Sequence, residues 1–186
     1  MNPPDGEATV TDHRVRGFSV RVINSRPDID TQQVLTRLTD ALDLISAHTP
    51  RRYRRMQRDL AGFVVQRFPC RGAFFPRQRE CLVELTFTVN PAHTIAEIAA
   101  SIVHEATHAR VAQRCGPLPE SVRPREERLC RRAELEFGLA LPNGHVVVER
   151  ARRSLAMADP EVAPAVDWTE AARRVAAVDR QNRGAS

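Results

Sequence analysis

The chain contains no lysine; all 28 of its basic side chains are arginine. A net charge of +5 alone would point toward nucleic acid. Arginine without lysine, beside abundant alanine and proline, reads instead as a compositional bias of the genome, and no nucleic-acid motif accompanies it. Aromatic residues are scarce, with one Trp and one Tyr, so stacking platforms for bases are not expected. No apolar run approaches the roughly eighteen residues that span a bilayer, which argues against a membrane role. The opening stretch Met1 to Glu7 is polar and carries no signal-peptide core, so the cytoplasm is the expected location. A Gly-rich phosphate loop and a GxSxG turn are both missing, which removes P-loop and serine-hydrolase chemistry. The four cysteines, Cys70, Cys81, Cys115 and Cys130, form no CxxC pair, so a separate thiolate zinc site is not expected. Free thiols buried as small apolar groups fit a reducing compartment; a Cys70–Cys81 disulfide is the alternative for a secreted protein.

What is present is organised as a single domain, the expectation for 186 residues. Residues 1–13 read as a disordered tail, 14–158 as the domain, and 159–186 as a helical extension hinged at Pro160 and Pro164. Phe18, Val20 and Val22 alternate with polar neighbours as in a short strand. Asp30 and Gln33 open a helix bearing Val34, Leu35, Leu38, Leu42 and Ile45 on one side, which stops near Pro50. Gly62 to Val65 forms another short apolar run, and Pro69, Gly72 and Pro76 mark a turn-rich connection. The clearest strand is Cys81 to Val89, with Cys81, Val83, Leu85, Phe87 and Val89 on one face. Directly after Asn90-Pro91, a Thr94/Glu97 capping box opens a helix that Gly116 and Pro117 close. Ile95, Ile98, Ile102, Ala106 and Ala109 form its apolar stripe. A further helix spans about 121–141, and two more cover about 145–158 and 167–180. The order is α+β, with a small sheet early and helices late.

The long capped helix carries His104-Glu105-Ala106-Thr107-His108, an HExxH sequence. Positions four apart stack on one helix face, about 6 Å apart along the axis, so two imidazoles there grip one ion. The residue after the first His sits beside the remaining coordination position, where a carboxylate serves as general base. Zinc that works on substrate needs three protein ligands and an open position. An antiparallel following helix returns Glu127 to the level of the imidazoles, after eighteen intervening residues. A later helix start favours Glu134 instead. Glu127, Cys130 and Glu134 lie near one face, so one acidic residue would bind metal while the other supports a ligand. Glu126 points about 100° away, in a solvated direction.

His104-Glu105-Ala106-Thr107-His108 followed by Glu127 resembles the HExxH-x18-E pattern of the gluzincin metallopeptidases. The resemblance covers about residues 81–141. It implies a zincin-like fold, a single Zn2+ held by His104, His108 and Glu127, and Glu105 as general base in peptide hydrolysis. It also implies that an edge strand before the metal helix pairs with a peptide or protein substrate, the part that falls to Cys81–Val89. Such enzymes often use a downstream Tyr or His to stabilise the intermediate. The only Tyr here is Tyr53, upstream, which leaves His93 or His145 as substitutes. The same ligand types accept manganese or iron.

Arg51, Arg52, Arg54, Arg55 and Arg58 surround Tyr53 and read as a solvated helix face rather than a phosphate-binding one. The arginines between Arg123 and Arg132 are interleaved with Glu126 and Glu127, a spacing for intrahelical ion pairs. Cys115 and Cys130 read as buried structural thiols. Trp168, Ala171, Ala172, Val175 and Val178 mark an amphipathic last helix that packs on the domain. The competing functional class is a regulatory or partner-binding module that keeps the peptidase fold without catalysis.

Overall fold

A computed structural model describes residues 8–116 and 118–183. Residues 1–7 of the expected tail, and the Pro117 expected to follow the helix stop, lie outside them. Residues 9–13, expected to belong to a disordered tail, are instead part of strand β1 (Thr9–Val15), which pairs with β2 (Phe18–Asn24). Arg16 (φ 49°) and Gly17 (φ 89°) make the connecting turn. Two consecutive positive φ values are what a tight hairpin between twisted strands requires, and they favour glycine at the second position.

Beyond this hairpin the chain forms α1 (Thr31–His48), α2 (Pro50–Asp59) and β3 (Gly62–Gln66). The Arg51–Arg58 stretch is therefore helix α2, with Tyr53 and Met56 buried and Arg51, Arg54, Arg55 and Arg58 exposed. Next come β4 (Gly72–Phe75), β5 (Glu80–Glu84), the short α3 (Leu85–Val89) and α4 (Ile95–Cys115). A 3-10 turn, Glu120–Val122, leads into α5 (Arg123–Ala140). The described chain finishes with α6 (His145–Leu155), α7 (Asp159–Val162) and α8 (Trp168–Arg183).

The five strands form one mixed sheet in the order β1-β2-β3-β5-β4, and the fold is α+β. Strands β2, β3 and β5 run parallel; β1 and β4 lie antiparallel at the two edges. Their register aligns Val20, Phe63, Cys81 and Phe74 across one face, and Val22, Val65, Val83 and Gly72 beside them. This face meets α1 and α4 through Leu38, Leu42, Ile45, Ile98 and Ile102, all fully buried. No helix among the described residues is long and apolar enough to cross a membrane.

Two expectations about the strand before the HExxH helix are overturned. The strand ends at Glu84 rather than Val89, and Leu85, Phe87 and Thr88 are buried in α3 instead. The Glu84 carboxylate accepts from the Phe87 amide and from the Thr86 hydroxyl while ion-paired to Arg67. That capping turns the backbone into a helical turn, against the strand periodicity of the sequence. Nor is this strand at an edge: β5 is flanked by β3 and β4, and β4 is the edge strand beside α4.

Helix α4 begins as expected. The Thr94 side chain accepts from the Glu97 amide at 3.2 Å, and Glu97 Oε2 accepts from the Thr94 amide at 3.0 Å. It ends at Gly116, whose φ of 70° releases the chain from the helix at little steric cost. The last helix packs back on the protein: Trp168 lies 5.6 Å from the Phe68 ring, and buried Asp179 pairs with Arg67 and Arg26.

Candidate metal centre

The antiparallel arrangement of α4 and α5 brings together the side chains singled out by the HExxH spacing. His104 and His108 project from adjacent turns of α4 with ring centroids 5.0 Å apart, and their Nε2 atoms approach to 3.2 Å. From α5, Glu127 reaches both rings, with Oε2 at 3.2 Å from His104 Nε2 and Oε1 at 3.5 Å from His108 Nε2. Each ring is held from its other nitrogen. His104 Nδ1 donates to Glu134 Oε1 at 2.6 Å, and His108 Nδ1 donates to Glu126 Oε1 at 2.7 Å. Glu127 and Glu134, alternatives from sequence, thus occupy different places: one at the convergence of the rings, the other behind His104.

Glu126 departs from its expected solvated position. Successive residues on a helix diverge by about 100°, and here Glu126 and Glu127 straddle the His108 ring, one at each nitrogen. Neither carboxylate is therefore engaged in the expected intrahelical pairs with arginine. Among the described residues, the arginines of this stretch pair instead with Glu120 of the preceding 3-10 turn (Arg123), with Asp159 (Arg128) and, within the helix, with Glu134 (Arg131). Cys130 is fully buried, and with His104 and His108 it forms a group able to hold a metal ion, their ligand atoms lying within 4.8 Å of one another. The sequence had marked Cys130 on the correct face of its helix but only as a structural thiol. Cys115 is exposed rather than buried, and all four cysteines are free.

The tautomers follow from the partners. A carboxylate only accepts, so each Nδ1 carries a proton, and each neutral ring presents a bare lone pair at Nε2. Two lone pairs facing each other at 3.2 Å repel unless a proton or a cation lies between them. Burial opposes imidazolium at His104, but hydrogen bonds to Glu127 and Glu134 outweigh it and lift its pKa to about 10. His108 is raised further, burial again being outweighed, here by Cys130, Glu126 and Glu127. Burial disfavours ionised Glu127, yet the two imidazoles hold its pKa far below the usual range. Glu134 behaves alike: burial is overcome by His104, Arg131 and Arg150, which bring it down to about 2.

The spacing also suits an ion. With bonds of about 2.05 Å, neighbouring ligand atoms of a tetrahedral zinc lie about 3.3 Å apart. The two Nε2 atoms are 3.2 Å apart, and Glu127 offers one oxygen to each ring, Oε2 at 3.2 Å from His104 Nε2 and Oε1 at 3.5 Å from His108 Nε2.

Glu105 sits on the neighbouring side of α4, buried, and among the described residues no side chain hydrogen-bonds to it. Burial raises its pKa, while the charges of His104 and His108 oppose the rise. It lines a cleft of about 990 Å³ together with His104, His108 and Glu127. Edge strand β4 forms one wall, and glycine at residue 72 eases its close approach to α4. A Cβ there would lie 3.1 Å from Glu105 Oε1 and 3.1 Å from Ser101 Oγ. Val162, Pro164, Val166 and Trp168 form another wall.

Neither His93 nor His145, the residues considered for an intermediate-stabilising role, lines this cleft. His93 lies against Phe87 and Glu97, and His145 is exposed at the start of α6. Five arginines line the cleft instead: Arg71, Arg77, Arg123, Arg131 and Arg150. Cys70 also lines the cleft, where burial and then the charge of Glu105 raise its thiol pKa to about 11. Comparison with known proteins adds no constraint: no family model, curated protein or solved structure matches the chain.

Proposed function

We propose that this chain is a zinc-dependent metallopeptidase with a zincin-like fold, in which His104, His108 and Glu127 hold one Zn2+ and Glu105 is the general base. One observation carries the reading: two Nε2 atoms lie 3.2 Å apart with the Glu127 carboxylate reaching both, while both Nδ1 atoms are held by other carboxylates. A carboxylate behind a ligating histidine fixes ring orientation and raises ligand basicity, the usual support of a protein metal site. Zinc, when bound, supplies a Lewis acid for the scissile carbonyl and lowers the pKa of water toward neutrality. Glu105 accepts the proton of the attacking water and hands it to the departing amine; its buried carboxylate lines the same cleft as His104, His108 and Glu127, which supports this role. The part first assigned to Cys81–Val89 passes to β4. An edge strand keeps unpaired amides and carbonyls along one side, and an extended peptide in the cleft pairs with them.

The Glu105→Gln variant tests this reading. It should keep one equivalent of zinc by elemental analysis and lose about 10²–10⁴-fold in hydrolysis of a peptide library. Undiminished turnover refutes the base, and purified wild-type protein without stoichiometric divalent metal refutes the centre.

A second reading draws support from Cys130. If its thiolate joins the two histidines and Glu127, all four positions of a tetrahedral ion are filled by protein, as in structural zinc sites. The protein would then be a metal-stabilised binding module without turnover. Cobalt substitution separates the two: a sulfur-to-cobalt charge-transfer band that disappears in Cys130→Ser supports the closed site. The peptidase reading expects no such band, because Cys130 is buried beneath the cleft rather than lining it.

A further inference from the structure

The cleft wall beside the histidines concentrates positive charge that the proposed chemistry does not use. Arg131 and Arg150 come from different helices, α5 and α6, and share one carboxylate. Arg131 Nη1 donates to Glu134 Oε1 at 2.7 Å and Arg150 Nη2 to Glu134 Oε2 at 2.9 Å. Glu134 also accepts from His104, so a single negative charge serves three donors. The remaining terminal nitrogens, Arg131 Nη2 and Arg150 Nη1, have no acceptor among the described residues, and both side chains line the cleft.

Arg71, just before β4, faces the same space and is less committed still. Its guanidinium lies 5.0 Å from the centre of the Phe87 ring, which fixes its position by cation–π contact. Its nearest carboxylate oxygen, Glu97 Oε1, is 3.8 Å away, and Glu97 already caps α4. Partial burial and then the charge of Arg150 weaken its hold on its proton, with Glu97 and Glu134 opposing and Arg131 adding to the effect; all three arginines line the same cleft.

Three guanidinium groups thus line one cleft, with Glu134 shared by two of them and Glu97 at 3.8 Å from the third, so cationic donors outnumber the carboxylates facing them. Guanidinium presents parallel N–H donors that match the two oxygens of a carboxylate. We propose that Arg71, Arg131 and Arg150 form a carboxylate-binding subsite beside the His104–His108 centre, selecting peptides that carry a carboxylate close to the bond to be cleaved. This inference takes the peptidase reading as its frame. Two sources present that group, the C-terminal carboxylate and an acidic side chain.

Binding tests it without requiring hydrolysis. Trp168 is the only tryptophan and lines the cleft, so its fluorescence reports occupancy. Three acetylated alanine hexapeptides serve as probes on full-length Glu105→Gln protein: a free acid, a C-terminal amide, and an amide with one internal Glu. At least one carboxylate probe should bind ten-fold or more tightly than the plain amide. The tighter of the two identifies the source. Arg71→Gln should shrink that ratio below three-fold without weakening the plain amide, and Arg71→Lys should restore part of it.

The ratio is measured in zinc-loaded and in chelator-stripped protein. Persistence in both assigns the carboxylate to the arginines; loss on stripping assigns it to the ion and overturns the subsite. Equal binding of all three peptides, binding of none, or an Arg71→Gln loss shared equally by the plain amide also overturns it. A protein that takes up no metal but keeps the acid preference retains the subsite and loses the peptidase reading.

Discussion

The two sides of α4 are built on opposite physical principles. One side presents Ile98, Ile102 and Ala109 to α1 and the sheet, all fully buried and without a polar atom in their side chains. The other presents His104, Glu105 and His108 to α5 and the cleft, where six ionisable groups, counting Glu126, Glu127 and Glu134, stand within a few side chains of one another. The apolar side is held by area and shape, and it degrades gradually as atoms are removed. The polar side is held by paired charges in a low-dielectric setting, where removing one partner strands the other. The difference predicts that substitutions on one side change stability, and on the other side change what is bound.

His104→Ala should have the largest effect. It removes a proposed ligand and leaves Glu134 facing a void, so stoichiometric metal should disappear on elemental analysis and zinc should no longer raise the melting temperature. A variant that still holds one equivalent breaks the comparison at its centre. Ile102→Ala, two residues earlier on the apolar side, should lower stability by about 2–5 kcal/mol in urea unfolding. Its metal content in the folded state should match wild type. Loss of metal there would mean that the two sides are coupled through the helix itself.

Glu134→Gln keeps the shape of the carboxylate but removes the charge behind His104. Metal affinity should fall about 10–100-fold in competition with a chelator. Glu126→Gln should cost less, because Glu126 is more exposed than Glu134 and water replaces part of its role. Equal losses would show that position on the helix matters more than burial. Thr94→Ala sharpens the comparison from outside both faces. Loss of its cap should cost about 1 kcal/mol in thermal or urea unfolding, with no change in metal affinity.

Local signals in the sequence carried the placement of α4. The Thr94/Glu97 box, the isoleucine stripe and Gly116 are read within one helix, and all three act as the spacing predicts. The convergence of His104 and His108 is equally local, being set by the pitch of a helix. The end of β5 is not legible locally: Glu84 caps a helical turn while its carboxylate is held by Arg67, a partner seventeen residues away. The edge strand was missed for a related reason. Gly72–Phe75 sits among prolines and glycine and reads as a connection, and it becomes a strand by pairing with β5. Glu126 and Cys130 were assigned by rotation around α5, but whether a side chain meets a neighbour depends on how that neighbour crosses. Arg150 carried no signal at all; only the packing of α6 on α5 brings it to Glu134.

The amino-acid sequence by itself determined which groups share one helical face, since backbone geometry repeats every few residues and side chains have no choice in it. Tertiary structure alone decided which second helix answers them, which strand borders the cleft and which cations line it. Those outcomes depend on distances between segments far apart in the chain, and such distances are set by how the apolar faces close against each other.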